Sequence, residues 1–261
     1  MSDLDEALAL RPTSGGNWLA FADPRYESIN AMFGGWTAAI LLRAAMDHGS
    51  RKGSPVALHV NYLAKVEPGT EVTLRAQCVG ASRSLQHWQA TLLGADGRTL
   101  AQAMVVFGER PESDGFTEPR MPQAPKPETL EGFHPPGPHG ERVWQRPVVG
   151  HPPFGRTSSA SLSWARELSG RPIDHLQLAF LSDCHAPRIW FAGAAPRMSV
   201  TTTLGVHFLA TDRELGAVGD DYVLMEVVGT RGADSAVGEQ VRLWSAQGVL
   251  LATAEQLCWY R

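Results

Sequence analysis

The chain has 261 residues, 43% of them hydrophobic and 19% charged, with 23 basic against 27 acidic side chains for a net charge of −4. This is globular composition, enough for one large or two small domains at about 150 residues each, and without the cationic excess that a phosphate backbone demands, so nucleic-acid binding is not expected. The opening MSDLDEALAL has no basic n-region, and the richest apolar stretch, residues 36–42, falls far short of the ~20 residues of a membrane span, so neither a secretory signal nor an anchor is expected.

In chain order, the glycine pair Gly34-Gly35 introduces Ala, Leu and Met at helical spacing, which predicts a helix over 33–48. Strands are expected at 56–66, 71–80, 86–93 and 99–107, with the hairpin signal Asp96-Gly97 between the last two. Eleven of the 18 prolines then fall between Pro111 and Pro153, a stretch with little apolar periodicity that reads as an extended linker of about 40 residues. A second helix is expected over 172–186, with Pro172 suited to its first turn and Pro187 ending it. Strands follow at 200–210, 222–229, 236–244 and 249–260, with Gln247-Gly248 in the hairpin position.

The two halves share short sequences. Leu58-His59-Val60-Asn61-Tyr62-Leu63-Ala64 matches Leu204-Gly205-Val206-His207-Phe208-Leu209-Ala210 at an offset of 146. Residues 95–103 match 246–254 at an offset of 151, the difference fitting a longer loop near 212–220. Two matches in the same order point to an internal duplication. The expected organisation is therefore a first repeat over 1–110, a proline-rich linker over 111–155 and a second repeat over 156–261. Each repeat would place one helix on an antiparallel sheet, an α+β arrangement, with the two sheets side by side so that fewer edges are exposed.

The chemistry is narrowed by what is missing. There is no GxGxxG after a strand, no GxxxxGK[ST], no GxSxG and no HExxH, so phosphate cradles, a serine elbow and a zinc protease site are not indicated. Cys78, Cys184 and Cys258 are odd in number and lack CxxC spacing, which argues against a disulfide scaffold or structural zinc and makes a reducing cytoplasm the default. His134, His139 and His151 read as solvated linker side chains, and Cys184 as a small core residue. Ile173, Leu176, Phe180 and Cys184 follow 3-4-4 spacing as a buried helical stripe, and Asp183 falls on or beside it. A carboxylate there is either functional, because burial is costly without a partner, or a flanking group that turns to solvent or bonds local backbone.

The order of these parts resembles the acyl-CoA thioesterase II family, whose members are double hotdog proteins. The pieces carrying the resemblance are Met32-Phe33-Gly34-Gly35-Trp36, the strand 58–63 with Pro68-Gly69, Leu181-Ser182-Asp183, the strand 201–209 and the final strand 251–256. The resemblance implies a pseudo-dimer of two hotdog repeats that hydrolyses acyl-CoA thioesters without a covalent intermediate. An Asp, a Thr or Ser, and a Gln hold the attacking water in that family. Carried onto this chain they are Asp183, Thr201 and Gln256. Family members often place Asp-His two and three residues after the hydroxyl, where this chain has Thr203-Leu204, so the register admits Thr202 or Thr203; strand alternation puts Thr201 and Thr203 on one face, and Thr201 ranks before Thr203. Gly34 and Gly35 are either a substrate-side element, offering backbone N–H groups at a helix N-terminus to the thioester, or a turn that allows close packing.

At the same offsets Asp183 falls opposite Thr37, Thr201 opposite Pro55 and Gln256 opposite Val105, so only the second half carries the trio. No metal, flavin or nucleotide cofactor is implied, coenzyme A entering only as part of the substrate, and the family resemblance implies a homo-oligomer. Two other readings stand beside hydrolysis. A hotdog hydratase or dehydratase would pair Asp183 with a histidine, for which His207 is available. A non-catalytic protein would bind acyl-CoA without turnover.

Overall fold

The computed structural model describes residues 2–13 and 16–261. A short helix α1 (Asp3–Ala7), closed by a Ser2/Asp5 capping box, leads into β1 (Arg11–Pro12) and β2 (Asn17–Phe21). The expected first helix is α2 (Gly34–Met46), followed by β3 (Ser54–Tyr62), β4 (Glu71–Ala81), β5 (Leu85–Leu93) and β6 (Thr99–Gly108). After the proline-rich segment come β7 (Val143–Val149), β8 (Ser161–Glu167), α3 (His175–Leu181), α4 (Ile189–Ala192) and β9 (Ser199–Phe208). Helix α5 (Asp212–Val218) and the strands β10 (Val223–Ala233), β11 (Ala236–Ser245) and β12 (Leu250–Tyr260) complete the chain.

Among the described residues, twelve strands form one antiparallel sheet in the order β1-β2-β4-β5-β6-β3-β9-β12-β11-β10-β8-β7. Reading outward from the β3–β9 seam, every strand of the first half has its counterpart six strands later in the second. The seam pairs Leu58 with Val206, His59 with Gly205 and Val60 with Leu204. That register is what a two-fold axis through the His59–Gly205 pair requires if positions 146 apart are equivalent. The irregularities repeat as well. The register shift at Leu92/Leu93 recurs at Leu243/Trp244, and the one at Cys78/Gly80 recurs at Gly229/Arg231, both at an offset of 151. The extra residue Val56 on β3 recurs as Thr202 on β9, at an offset of 146. Helix α5 lies where the second offset replaces the first.

Helices α2 and α3 cross one another on the inner face of the sheet. Alternation along each strand supplies that face: Leu58, Val60, Leu204, Val206, Ala252 and Ala254 are buried in one continuous core, and each large aliphatic side chain so buried contributes about 1.5–3 kcal/mol. Three expectations need correction. The second helix ends at Leu181, not Ala186, so Asp183 lies in the turn beyond it; Pro187 disfavours helical backbone before it and breaks the path into α3 and α4. Residues 175–181 are buried all round, not along one stripe, because α3 packs against α2 as well as into the sheet's core. The proline-rich stretch is not linker to residue 155, since β7 pairs with β8 at the sheet edge.

Linker histidines also divide differently from expectation. His134 and His151 are exposed, but His139 is buried. Its ring stacks on Phe33 at 4.1 Å between centroids, and its backbone N–H donates to the Glu27 carbonyl at 3.0 Å. A stretch too polar and proline-rich to build a core thus still docks one aromatic ring into the first repeat.

Candidate active site

Asp183 is placed by the end of α3. Ser182 caps that helix, and its hydroxyl donates to the Leu178 carbonyl at 2.8 Å, satisfying a group the helix terminus would leave open. The next residue turns the Asp183 side chain toward the sheet, where it is 9% exposed. Its Oδ1 accepts a hydrogen bond from Gln256 Nε2. The same amide donates its second proton to Thr201 Oγ1 at 2.9 Å. One NH2 group therefore fixes both the carboxylate and the hydroxyl, and the three side chains carried over from the family resemblance converge.

Thr201 reaches this place because of a bulge. Simple alternation would put Thr201 and Thr203 on one face, but β9 pairs Thr203 with Leu257 and Thr201 with Cys258, leaving Thr202 as an extra residue. The bulge flips the side chains that follow it along the strand. Thr201 turns inward with Leu204 and Val206, while Thr203 is exposed on the outer face. His207 shares that outer face, its ring 5.5 Å from His59, in a cleft of about 420 Å³ that Asp183 does not line. Thr202 donates to the Leu257 carbonyl at 2.8 Å and so seals the bulge.

The first half supplies the other wall. Gly34 and Gly35 open α2 against the end of α3. A Cβ on Gly34 would stand 2.6 Å from Asp183 Oδ2, and one on Gly35 would stand 2.4 Å from the Phe180 carbonyl oxygen. Both contacts are closer than carbon and oxygen tolerate, so the pair is required for the helices to meet. The Gly35 N–H, an orphan donor of the first helical turn, lies beside the Asp183 carboxylate and favours its ionised form. Close packing, one of the two readings of this pair in the sequence, is what the contacts show, and the packing also brings Gly34 against Asp183.

Burial pushes the Asp183 carboxyl up to about 7; the Gln256 bond opposes this, the nearby Glu239 carboxylate adds to it, and the Gly35 N–H opposes it. A carboxylate in this range can accept a proton near neutral pH. Glu239 is 2% exposed and was not anticipated. It occupies the inward parity of β11 between Val237 and Val241, opposite Gln256, so a charged residue in an apolar alternation was the available signal. Glu239 Oε1 accepts the Arg188 N–H at 3.0 Å, and His185 Nδ1 lies 3.3 Å from Oε2. Burial lowers His185 to about 3, which keeps it neutral, and lowers Arg188 to about 10, which leaves it charged beside Glu239. Gln145 adds a bond to the Cys184 carbonyl at 2.5 Å. Buried polar groups from β7 and β11 thus hold the turn that carries Asp183. Cys184 is buried at 1% exposure, as a core residue would be.

A family model for the acyl-CoA thioesterase N-terminal domain matches residues 22–108, and one for the C-terminal domain matches residues 117–260. A hot dog fold protein of unknown function from Alicyclobacillus acidocaldarius is 32% identical over 100% of this chain and 98% of its own, with a TM-score of 0.95. A putative thioesterase II from Thermobifida fusca YX superposes with a TM-score of 0.87 at 18% identity, over 100% of this chain and 98% of its own. The tesB protein of Mycobacterium avium subs paratuberculosis gives 0.83 at 19% identity, over 99% and 98%. Comparison with curated proteins returned no match. The architecture is the double hotdog, an α+β fold of two tandem helix-on-sheet repeats.

Proposed function

The chain belongs to the acyl-CoA thioesterase family, and from that premise we propose that it hydrolyses acyl-CoA thioesters to the free acid and coenzyme A, with Asp183 activating water and Thr201 and Gln256 orienting it. The observation that carries this reading is the single Gln256 amide bonded to both Asp183 and Thr201. A water held between carboxylate and hydroxyl would have its attack direction set before the chemistry begins, which removes part of the entropic barrier. Asp183 Oδ2 takes the proton as the water oxygen forms its bond to the thioester carbon. The carbonyl oxygen then gathers negative charge, which the positive end of α2, beginning at Gly34, is suited to stabilise. Collapse of the tetrahedral species breaks the carbon–sulfur bond, and the proton held by Asp183 goes to the departing thiolate.

The first half would serve as wall and helix terminus rather than as a second site. Pro55 stands where Thr201 stands in the second half, and Val105 where Gln256 stands. Coenzyme A enters this reaction only as the leaving group of the substrate. A hydratase reading needs a histidine beside Asp183, and His207 instead lies on the outer face of the sheet.

Release of free thiol from short, medium and long saturated acyl-CoAs tests the proposal. Wild-type turnover is expected, with an acid limb centred near pH 7 because Asp183 must be ionised to act. Asp183→Asn should lower kcat by about 10²-fold or more, as loss of a general base does. A folded wild-type protein that releases no thiol from any chain length overturns the hydrolytic reading; acyl-CoA binding without turnover would leave a binding protein.

A further inference from the structure

We propose that Tyr62 is a positioning residue that acts on Asp183 through the Gly34–Gly35 peptide, so that the first repeat sets the geometry and basicity of a carboxylate carried by the second. This rests on the reading of Asp183 as the base. Tyr62 is the last residue of β3, and its hydroxyl donates to the Gly34 carbonyl at 2.9 Å. That carbonyl belongs to the same peptide unit as the Gly35 N–H, which lies beside the Asp183 carboxylate and favours its ionised form; the approach is close enough that a Cβ on Gly34 would stand 2.6 Å from Asp183 Oδ2. The three groups form a chain: phenol O–H to carbonyl, across one planar amide, to carboxylate. Donation into the carbonyl withdraws electron density from the amide nitrogen and strengthens its N–H as a donor. It also fixes the plane of the first peptide of α2, where two successive glycines supply no side chain to do so.

An internal comparison within the chain argues that the hydroxyl is not there for packing. The residue equivalent to Tyr62 in the second repeat is Phe208, 146 positions on. It packs its ring on His175, the first residue of α3, with 5.2 Å between centroids and edge-to-face geometry. The first residue of the crossing helix is thus met by a plain phenyl ring in one repeat and by a phenol in the other. The phenol occurs in the repeat whose helix terminus faces Asp183. Burial beside Asp183 raises Tyr62 well above the ordinary tyrosine range, so its hydroxyl keeps its proton throughout the working range of pH.

Asp183 also faces Glu239 from β11, Cys258 from β12 and Cys184 in its own turn, with Arg188 and neutral His185 behind Glu239. None of these is changed by Tyr62→Phe, which mimics Phe208. The variant should lose kcat by about three- to tenfold with KM unchanged, and the acid limb should move up by roughly 0.3–0.5 in pH, because a weaker Gly35 donor stabilises the carboxylate less. In an Asp183→Asn background the substitution should have no further effect on residual turnover. A carboxyl ¹³C NMR titration of Asp183, assigned by its loss in Asp183→Asn, reads the same shift without turnover. A protein inactive on acyl-CoA would therefore sink the hydrolytic reading while the relay remained under test. Should Tyr62→Phe fail to fold, 3-fluorotyrosine at position 62, a stronger donor, should move the Asp183 midpoint down. An unmoved midpoint in either variant overturns the proposal, even if kcat or thermal stability falls.

Discussion

Asp183→Asn should stabilise the protein, and more so in alkaline than in acid solution. Burial raises this carboxyl from an ordinary 3.8 up to about 7. It therefore binds its proton more tightly in the folded chain than in the unfolded one. Such a group stabilises the fold fully below pH 4, and that contribution is lost as the pH rises through 7. At about 1.4 kcal/mol for each pH unit between the two values, the ionised carboxylate costs the fold at most ~4 kcal/mol at pH 8. Asparagine keeps the shape and an acceptor for the Gly35 N–H but cannot ionise. Its amide faces the Gln256 NH2, so one of the two amides must rotate, and part of the gain is forfeited. That loss does not depend on pH, so the informative quantity is a difference of differences. Thermal unfolding of both proteins at pH 5 and pH 8 should show the variant's advantage growing by ~2–3 kcal/mol over that interval, or roughly 5–10 °C for a chain of this size. The effects of ionisable groups remote from Asp183 cancel in this difference, and the repulsion with Glu239 is already contained in the raised Asp183 value. An advantage equal at the two pH values would mean that Asp183 ionises as an ordinary carboxylate, and the burial account of its basicity would be refuted.

The bulge at Thr202 makes a discriminating pair. Thr201→Ala removes the hydroxyl that accepts from Gln256 and should cost about 10–100-fold in kcat, whereas Thr203→Ala, on the outer face, should stay within about twofold; steady-state kinetics on one acyl-CoA decides, and similar losses in the two variants would restore plain strand alternation. Gly34→Ala would place a methyl group 2.6 Å from Asp183 Oδ2 and so displace the carboxylate. A tenfold or larger loss of kcat is expected, since about 1 Å of misplacement can cost 10²-fold, and unchanged kcat with unchanged thermal stability would show that the helix terminus is looser than the contact requires.

Much of the fold was legible because its signals are local or repeated. Strand-forming runs bounded by turn signals marked β3 to β6 and β9 to β12, and Asp96-Gly97 and Gln247-Gly248 marked the two hairpins, where Gly97 and Gly248 take φ of 79° and 88°. The offsets of 146 and 151 are the register of the seam and the position of the bulges, read from identity alone. Strands β1, β2, β7 and β8 were not expected. Beside β7 the proline content obscures any pattern, and all four precede the helices that seemed to open each repeat. Asp183 was detectable as a charge on an apolar segment. Glu239 carried the same signal, a carboxylate at inward strand parity, and Tyr62 could not be distinguished from core.

The residue types and their order along the chain determined that two helix-on-sheet repeats would form and that one acidic side chain would face a core. The tertiary structure alone decided which threonine joins it, because a bulge is an event of pairing between strands, and one extra residue reverses the face that sequence parity assigns. It alone decided that Asp183 sits beyond its helix, against glycines some 150 positions away, with Gln256 from the last strand and Glu239 behind. The raised proton affinity of Asp183 follows from that enclosure, since desolvation belongs to the packed surroundings of a carboxyl and not to the aspartate itself.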